Sequence, residues 1–288
     1  MDLLDELERR VVCGDGAMGT LLLDDGVPIG RCFEELCVSE PERIGKIHQA
    51  YIAAGARLIK TNTFGANAVR LGRFGMEGRV SEINRVAVAV AKGAAKNKDV
   101  CIAGSVGPLG ITSEAAALRG IDQAQCFREQ ITALLETGVD AIFFETFTEI
   151  NEIEIALREK HTVSDLPEIC SFACKPDGRL RCGTLLVEAF ARLWELGAKV
   201  LGVNCMNDPG KMAMLLQKLP AEYPLAIYPT AGSPQLRNDR FYYVVTPQAF
   251  AATMRNIVAK GARLVGGCCG TTPAHIAALG EAIEELPS

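Results

Sequence analysis

The chain has 288 residues, 49% hydrophobic and 23% charged, with a formal charge of −5 from 30 Lys and Arg against 35 Asp and Glu. That composition excludes a disordered or fibrous chain, and the acidic balance without a long basic run argues against nucleic acid or an anionic membrane as partner. No apolar stretch reaches the ~18 residues of a spanning helix. The acidic, amphipathic start MDLLDELERRVV is not a secretory leader, so a cytoplasmic location is expected.

Short β-branched runs alternate with helix-length amphipathic segments eight times along the chain. The strands are expected at residues 11–14, 58–63, 100–105, 141–146, 168–173, 200–205, 225–230 and 264–268, with helices at 41–54, 121–137, 185–196, 247–260 and 273–286. In the second of these helices, Ile121, Phe127, Ile131, Leu134 and Leu135 form an apolar stripe near helical period. Strands alternating with helices predict a parallel sheet covered by helices, and eight units in this length fit a single (β/α)₈ barrel spanning 1–288.

A weak internal repeat sharpens this reading. AAGARLIKTN, ETGVDAIFFET, ELGAKVLGVN and AKGARLVGGCC each carry a glycine (Gly55, Gly138, Gly197, Gly261) where a helix ends and positive φ is required. Seven residues after each glycine stand Asn62, Glu145, Asn204 and Cys268, with Cys205 and Cys269 one further on. Each falls at the C-terminal end of its strand, the catalytic face of such a barrel. The longest irregular stretch, 229–247, follows the seventh strand and contains Arg237, Tyr242 and Tyr243. It reads equally as a lid or substrate wall and as a surface excursion.

Eleven cysteines, an odd count without a leader, argue against a disulfide framework. In VGGCCGTTPAHI, a regular strand would point Cys268 and Cys269 to opposite faces. The flanking Gly266, Gly267 and Gly270 allow both thiols to face one point, on the rim that also carries Cys205. Three thiols there suggest a Cys₃ zinc site with an open fourth position; the competing reading is buried thiols or a vicinal disulfide. Such a centre is too electron-rich to activate water well, but it suits a substrate thiol, which a bound metal deprotonates. Thiol alkylation, rather than hydrolysis, is the expected chemistry. Cys13, Cys32, Cys37, Cys101, Cys126, Cys170, Cys174 and Cys182 show no convergent spacing and read as structural.

The phrases DGAMGT (15–20), KTNTFGAN (60–67), GSVGP (104–108), FFETF (143–147), GVNC (202–205), YPTAG (228–232) and VGGCCGTTPAHI (265–276) run through the whole chain. In their order they resemble the homocysteine S-methyltransferase family. The wording is closest to the homocysteine domain of cobalamin-dependent methionine synthase and of bacterial fusions with methylenetetrahydrofolate reductase. The resemblance implies a cytoplasmic zinc-dependent barrel, one Zn²⁺ per chain on Cys205, Cys268 and Cys269, methylating L-homocysteine to methionine. The donor it implies is methylcobalamin or methyltetrahydrofolate, which normally need further domains, or else S-methylmethionine or S-adenosylmethionine. The chain is accordingly expected to be an N-terminal module of a longer polypeptide or to meet its donor directly. An oligomer is also compatible with the sequence.

By the same resemblance, Asp15 and Glu145 hold the substrate amino group. The backbone N–H groups of Gly16, Ala17 and Met18 could receive a carboxylate, while Asn62 and Asn204 either orient substrate or satisfy loop backbone. Thr230 stands where the family often has Asn in the phrase PNAG, which leaves the resting fourth metal ligand to water, another side chain or a rearrangement. His48 reads as packed, His161 as solvated, and His275 as helix-start chemistry with a subsidiary role near Cys268. Lys60 reads as exposed. Two rival functions are a metal-free Schiff-base lyase using Lys60 and Glu145, and a non-catalytic barrel with structural zinc.

Overall fold

The computed structural model describes residues 2–220, 222–237 and 240–285. Its strands are β1 (Val12–Cys13), β2 (Leu58–Lys60), β3 (Cys101–Val106), β4 (Ala141–Phe147), β5 (Glu168–Phe172), β6 (Val200–Asn204), β7 (Leu225–Tyr228), β8 (Gln235–Arg237), β9 (Arg240–Tyr242) and β10 (Ala262–Val265). Eight of them form one parallel sheet in the order β1-β10-β7-β6-β5-β4-β3-β2. The ends meet through a parallel bridge between Gly14 and Leu58. Asp15 N–H donates to the Leu58 carbonyl at 2.9 Å, and Arg57 N–H to the Cys13 carbonyl at 2.7 Å. This is the expected (β/α)₈ barrel.

The sheet separates two apolar layers, as period-two alternation requires. Inward-facing Val12, Leu58, Ala103, Phe143, Ile169, Ala226, Tyr228 and Leu264 fill the barrel, and Leu3 and Leu7 of the helix Leu3–Arg9 close its N-terminal end. Outward-facing Ile59, Ile102, Phe144, Phe172, Leu201 and Ile227 pack beneath the helical jacket. No helix among the described residues is long and apolar enough to cross a membrane.

Helix boundaries move inward for identifiable reasons. The helix expected at 121–137 spans Gln123–Glu136, because the Asp122 side chain accepts from Gln125 N–H and caps it. The helix expected at 273–286 is Pro273–Glu284, with Leu286 outside the described residues. Gly55, Gly138, Gly197 and Gly261 all have positive φ, as the repeat required.

Several strands are shorter than expected where they approach the mouth: β2 ends at Lys60, β7 at Tyr228 and β10 at Val265. Residues 61–63, 229–230 and 266–268 leave the sheet there. Chemistry-bearing side chains therefore sit on loops held by the strand ends. The 229–247 stretch is not wholly irregular, since β8 and β9 form an antiparallel ribbon within it. The Arg237 side chain lies outside what is described.

Candidate functional site

Three sulfurs meet at the C-terminal mouth. Cys205, Cys268 and Cys269 place their Sγ atoms within 4.8 Å of one another, and the two neighbouring sulfurs are 4.0 Å apart. All eleven cysteines are free thiols, so no vicinal disulfide is present. A tetrahedral ion with metal–sulfur bonds of ~2.3 Å spaces its sulfurs about 3.8 Å apart, so three thiols this close could together hold a metal ion.

Backbone contacts explain the convergence. Cys205 adopts φ 56°, beyond the end of β6, while its N–H donates to the Tyr228 carbonyl at 3.0 Å. Cys268 N–H donates to the Pro229 carbonyl and Ala231 N–H to the Cys269 carbonyl, at 2.8 and 2.9 Å, pinning the two loops together. Gly266 is required here: a Cβ would lie 2.3 Å from the Tyr228 ring and 2.7 Å from the Asp15 carbonyl. Hydrogen bonds among the three sulfurs, of both signs, and then burial hold every thiol above its ordinary value, Cys205 and Cys269 at about 12. Metal-free, the cluster is a set of protonated thiols; a divalent cation is what would make three thiolates compatible.

A cavity of about 280 Å³ opens beside the sulfurs. Its floor carries Asp15, Lys60, Ser105 and Glu145, and its outer wall Met18, Phe33 and Phe64. Larger concavities, of 840 and 670 Å³, lie on the helical jacket and at the barrel's opposite end, without any of these cysteines.

Lys60 is not exposed, contrary to the sequence expectation. Its side chain is 10% accessible, with Nζ 2.9 Å from Glu145 Oε2, 4.0 Å from Asp15 Oδ1, and 4.8 and 5.2 Å from the Tyr228 and Phe143 ring centres. Burial pulls its pKa down, but Glu145 and then Asp15 outweigh that and leave it above the ordinary value. Ser105 Oγ donates to the other Glu145 oxygen at 2.5 Å. Asp15 Oδ2 accepts from Lys60 N–H at 2.8 Å, while the buried Asp15 Oδ1 has no hydrogen-bond partner. Burial, partly offset by Lys60, pushes the Asp15 carboxyl up to about 7.

The remaining expected residues divide. Gly16, Ala17 and Met18 line the cavity, but Ala17 N–H already donates to Thr271 Oγ1 at 3.2 Å. Asn62 also lines it, yet its amide donates to the Phe33 carbonyl at 2.7 Å, tying down a wall loop. Asn204 is buried below. Its Oδ1 accepts from Thr146 N–H and Ser171 Oγ, each at 2.8 Å, and its Nδ2 donates to Thr146 Oγ1 at 2.7 Å. Thr146 is left-handed, φ 64°, at an irregularity in the pairing of β4 with β5. This bulge turns both Glu145 and Thr146 toward the cavity.

Thr230 spends its hydroxyl on backbone, Oγ1 donating to the Gly232 carbonyl at 3.1 Å with the Asn207 carbonyl at 3.4 Å. From the 229–247 loop, Tyr243 packs over Gly270 and hydrogen-bonds Cys269, so the loop forms a wall of the sulfur cluster. His48 is fully buried, which lowers its pKa to about 4, and His161 is exposed. His275 joins Thr272 at its helix start and the Val245 carbonyl at 2.9 Å. Sequence reasoning missed Ser105, Thr146 and the burial of Lys60, although each lies within a phrase it had singled out.

Residues 12–283 match the model of a family described as homocysteine S-methyltransferase. The chain belongs to the homocysteine S-methyltransferase family. It is 32% identical over 99% of its length to a methionine synthase of Mycobacterium tuberculosis and 31% identical over 98% to one of Mycobacterium leprae. It spans 26% and 25% of those relatives, about a quarter of their length. Among solved structures, the metallated form of the homocysteine methyltransferase MmuM from Escherichia coli aligns with a TM-score of 0.78 and 28% identity, over 98% of this chain and 99% of that one. A dihydrodipicolinate synthase from Oceanobacillus iheyensis, at 11% identity and TM-score 0.54 over 98% of this chain and 76% of that one, shares the fold alone.

Proposed function

We propose that this barrel binds Zn²⁺ through Cys205, Cys268 and Cys269 and methylates the sulfur of L-homocysteine to give methionine. The observation carrying the reading is the three-sulfur cluster opening onto a cavity whose floor holds a carboxylate oxygen without a hydrogen bond. Zn²⁺ in that cluster supplies acidity, keeping the substrate thiol as thiolate at neutral pH. Asp15 Oδ1 receives the substrate ammonium, the Gly16 and Met18 N–H groups face its carboxylate, and Phe33 and Phe64 exclude water from the sulfur. The sulfur then attacks an electrophilic methyl carbon. A C–S bond forms while the bond to the donor breaks, its electron pair leaving with the donor.

For the donor, the likeness to methionine synthases favours a methyl group from methylcobalamin or methyltetrahydrofolate, presented by further domains of a longer polypeptide. A freely diffusing sulfonium, S-methylmethionine or S-adenosylmethionine, is the second reading, favoured by the match to almost the whole of MmuM. A Schiff-base lyase would need Lys60 as a neutral amine, and its two carboxylate neighbours oppose that. A structural zinc site would be closed by a fourth protein ligand. No fourth Cys, His, Asp or Glu joins the three sulfurs among the described residues. The test is methionine formation from homocysteine with all four donors, run beside metal analysis. One zinc per chain and turnover with one donor class is the expected result. Full zinc loading without methionine from any donor, or undiminished activity after metal removal, overturns the proposal.

A further inference from the structure

The site contains a cation of its own. In a pocket that takes an amino acid by its ammonium, a carboxylate whose charge is already paired within the protein attracts the ligand less. The floor offers two carboxylates, and the structure distinguishes them oxygen by oxygen. Each oxygen of Glu145 already has a protein partner, with Lys60 Nζ on Oε2 at 2.9 Å and Ser105 Oγ on Oε1 at 2.5 Å. Asp15 keeps Oδ2 on the Lys60 backbone N–H and leaves Oδ1 buried, without a hydrogen bond and 4.0 Å from Lys60 Nζ.

Lys60 is held in place from below. Its ammonium lies over the Tyr228 and Phe143 rings, which stand edge to face with centroids 5.2 Å apart. Tyr228 is itself clamped, since a Cβ on Gly14 would fall 1.9 Å from its hydroxyl oxygen. Swinging the ammonium away would forfeit both ring contacts and the Glu145 pair.

We propose that Lys60 is a specificity-determining residue: it occupies Glu145 with an internal ammonium, so that the substrate's ammonium meets Asp15 Oδ1 alone. This rests on the homocysteine reading above and changes what that reading demands of the substrate. With Asp15 and Glu145 ionised and Lys60 charged, the floor carries one net negative charge rather than two. The pocket therefore discriminates only modestly between an amino thiol and the same thiol carboxylate without its amine.

The experiment is calorimetric binding of L-homocysteine and of 4-sulfanylbutanoate, its amine-free analogue, to zinc-loaded wild-type, Lys60→Met, Lys60→Gln and Lys60→Arg proteins. Removing the internal cation should tighten homocysteine and weaken the analogue. The preference for homocysteine then rises by about tenfold or more, because a unit charge a few ångströms from the ligand exceeds that value at a protein's effective dielectric. Lys60→Arg should keep the wild-type preference. A purely structural ion pair would shift both ligands alike. A contact between Lys60 and the substrate carboxylate would weaken both and leave their ratio fixed. Either outcome, in a folded, metal-loaded Met or Gln variant, overturns the inference. A wild-type protein that binds neither thiol instead fails the homocysteine reading itself, before any variant is compared.

Discussion

Among the described residues the barrel buries two lysine–carboxylate clusters, one at each end, and they differ in how completely they are satisfied. At the N-terminal end of β5, Glu168 is 0% exposed; its Oε2 meets Lys160 Nζ at 2.5 Å and its Oε1 accepts from Lys199 N–H at 2.9 Å. Both carboxylate oxygens have protein partners. At the mouth, Lys60 binds Glu145 in the same manner, but the adjoining Asp15 retains one oxygen without a hydrogen bond, 4.0 Å from Lys60 Nζ. Buried charge alone is thus a poor guide to function. A buried acceptor without a hydrogen bond beside a cavity is the informative feature, because a ligand's donor would relieve the desolvation it has suffered.

Variants that separate the two ends should rank in a definite order. The largest effect falls on the sulfurs: Cys205→Ala, Cys268→Ala or Cys269→Ala should lose stoichiometric zinc and bring methionine formation to background, with circular dichroism unchanged. Full activity in any one of them would remove that thiol from the proposed metal set.

At the opposite end, Lys160→Met should cost about 3–5 kcal/mol of stability by stranding Glu168. Urea denaturation would read that loss, and kcat/KM at a temperature where the variant is folded should remain close to wild type. A large fall in kcat/KM would show that the two ends are coupled.

Asp15→Asn comes next, with kcat/KM for homocysteine falling about 10- to 100-fold, the worth of one charge-assisted hydrogen bond. Because the Asp15 carboxyl is raised to about 7, homocysteine affinity should weaken as pH falls below that value, a step absent from Asp15→Asn. Folding stability runs the other way. The native carboxyl holds a proton that the unfolded chain releases near 3.8, so this contribution is lost as pH rises through about 7. The smallest effect belongs to Thr230→Ala, about 1 kcal/mol of stability from its hydrogen bond. Homocysteine affinity should hold, since Oγ1 points to the Gly232 carbonyl.

Much of the mouth was legible because it is written in local repeats. The helix-ending glycines and their fixed offset to Glu145, Asn204, Cys205, Cys268 and Cys269 depend only on helix termination and strand length, both local properties. Lys60 shows where such reading stops. Its place in the second expected strand is right, but what buries it, Glu145, Phe143 and Tyr228, lies 83 to 168 residues further along the chain. Asn204 was legible in position and not in orientation, because its partners Thr146 and Ser171 become neighbours only through the β4, β5 and β6 pairing. The β8–β9 ribbon carries no alternating apolar pattern to announce it.

Thr146 carries a cost that reaches beyond its own backbone. A left-handed β-branched residue is held at about 1–3 kcal/mol above its relaxed state, and here the amide of Asn204 offsets that penalty from β6, across the intervening β5. Asn204→Ala is therefore expected to loosen the turn of β4 at Thr146 and with it the aim of Glu145 at Lys60, readable as lowered stability together with weakened homocysteine binding. The aim of the mouth and the resilience of the barrel wall are therefore set by a single side chain that touches neither sulfur nor cavity.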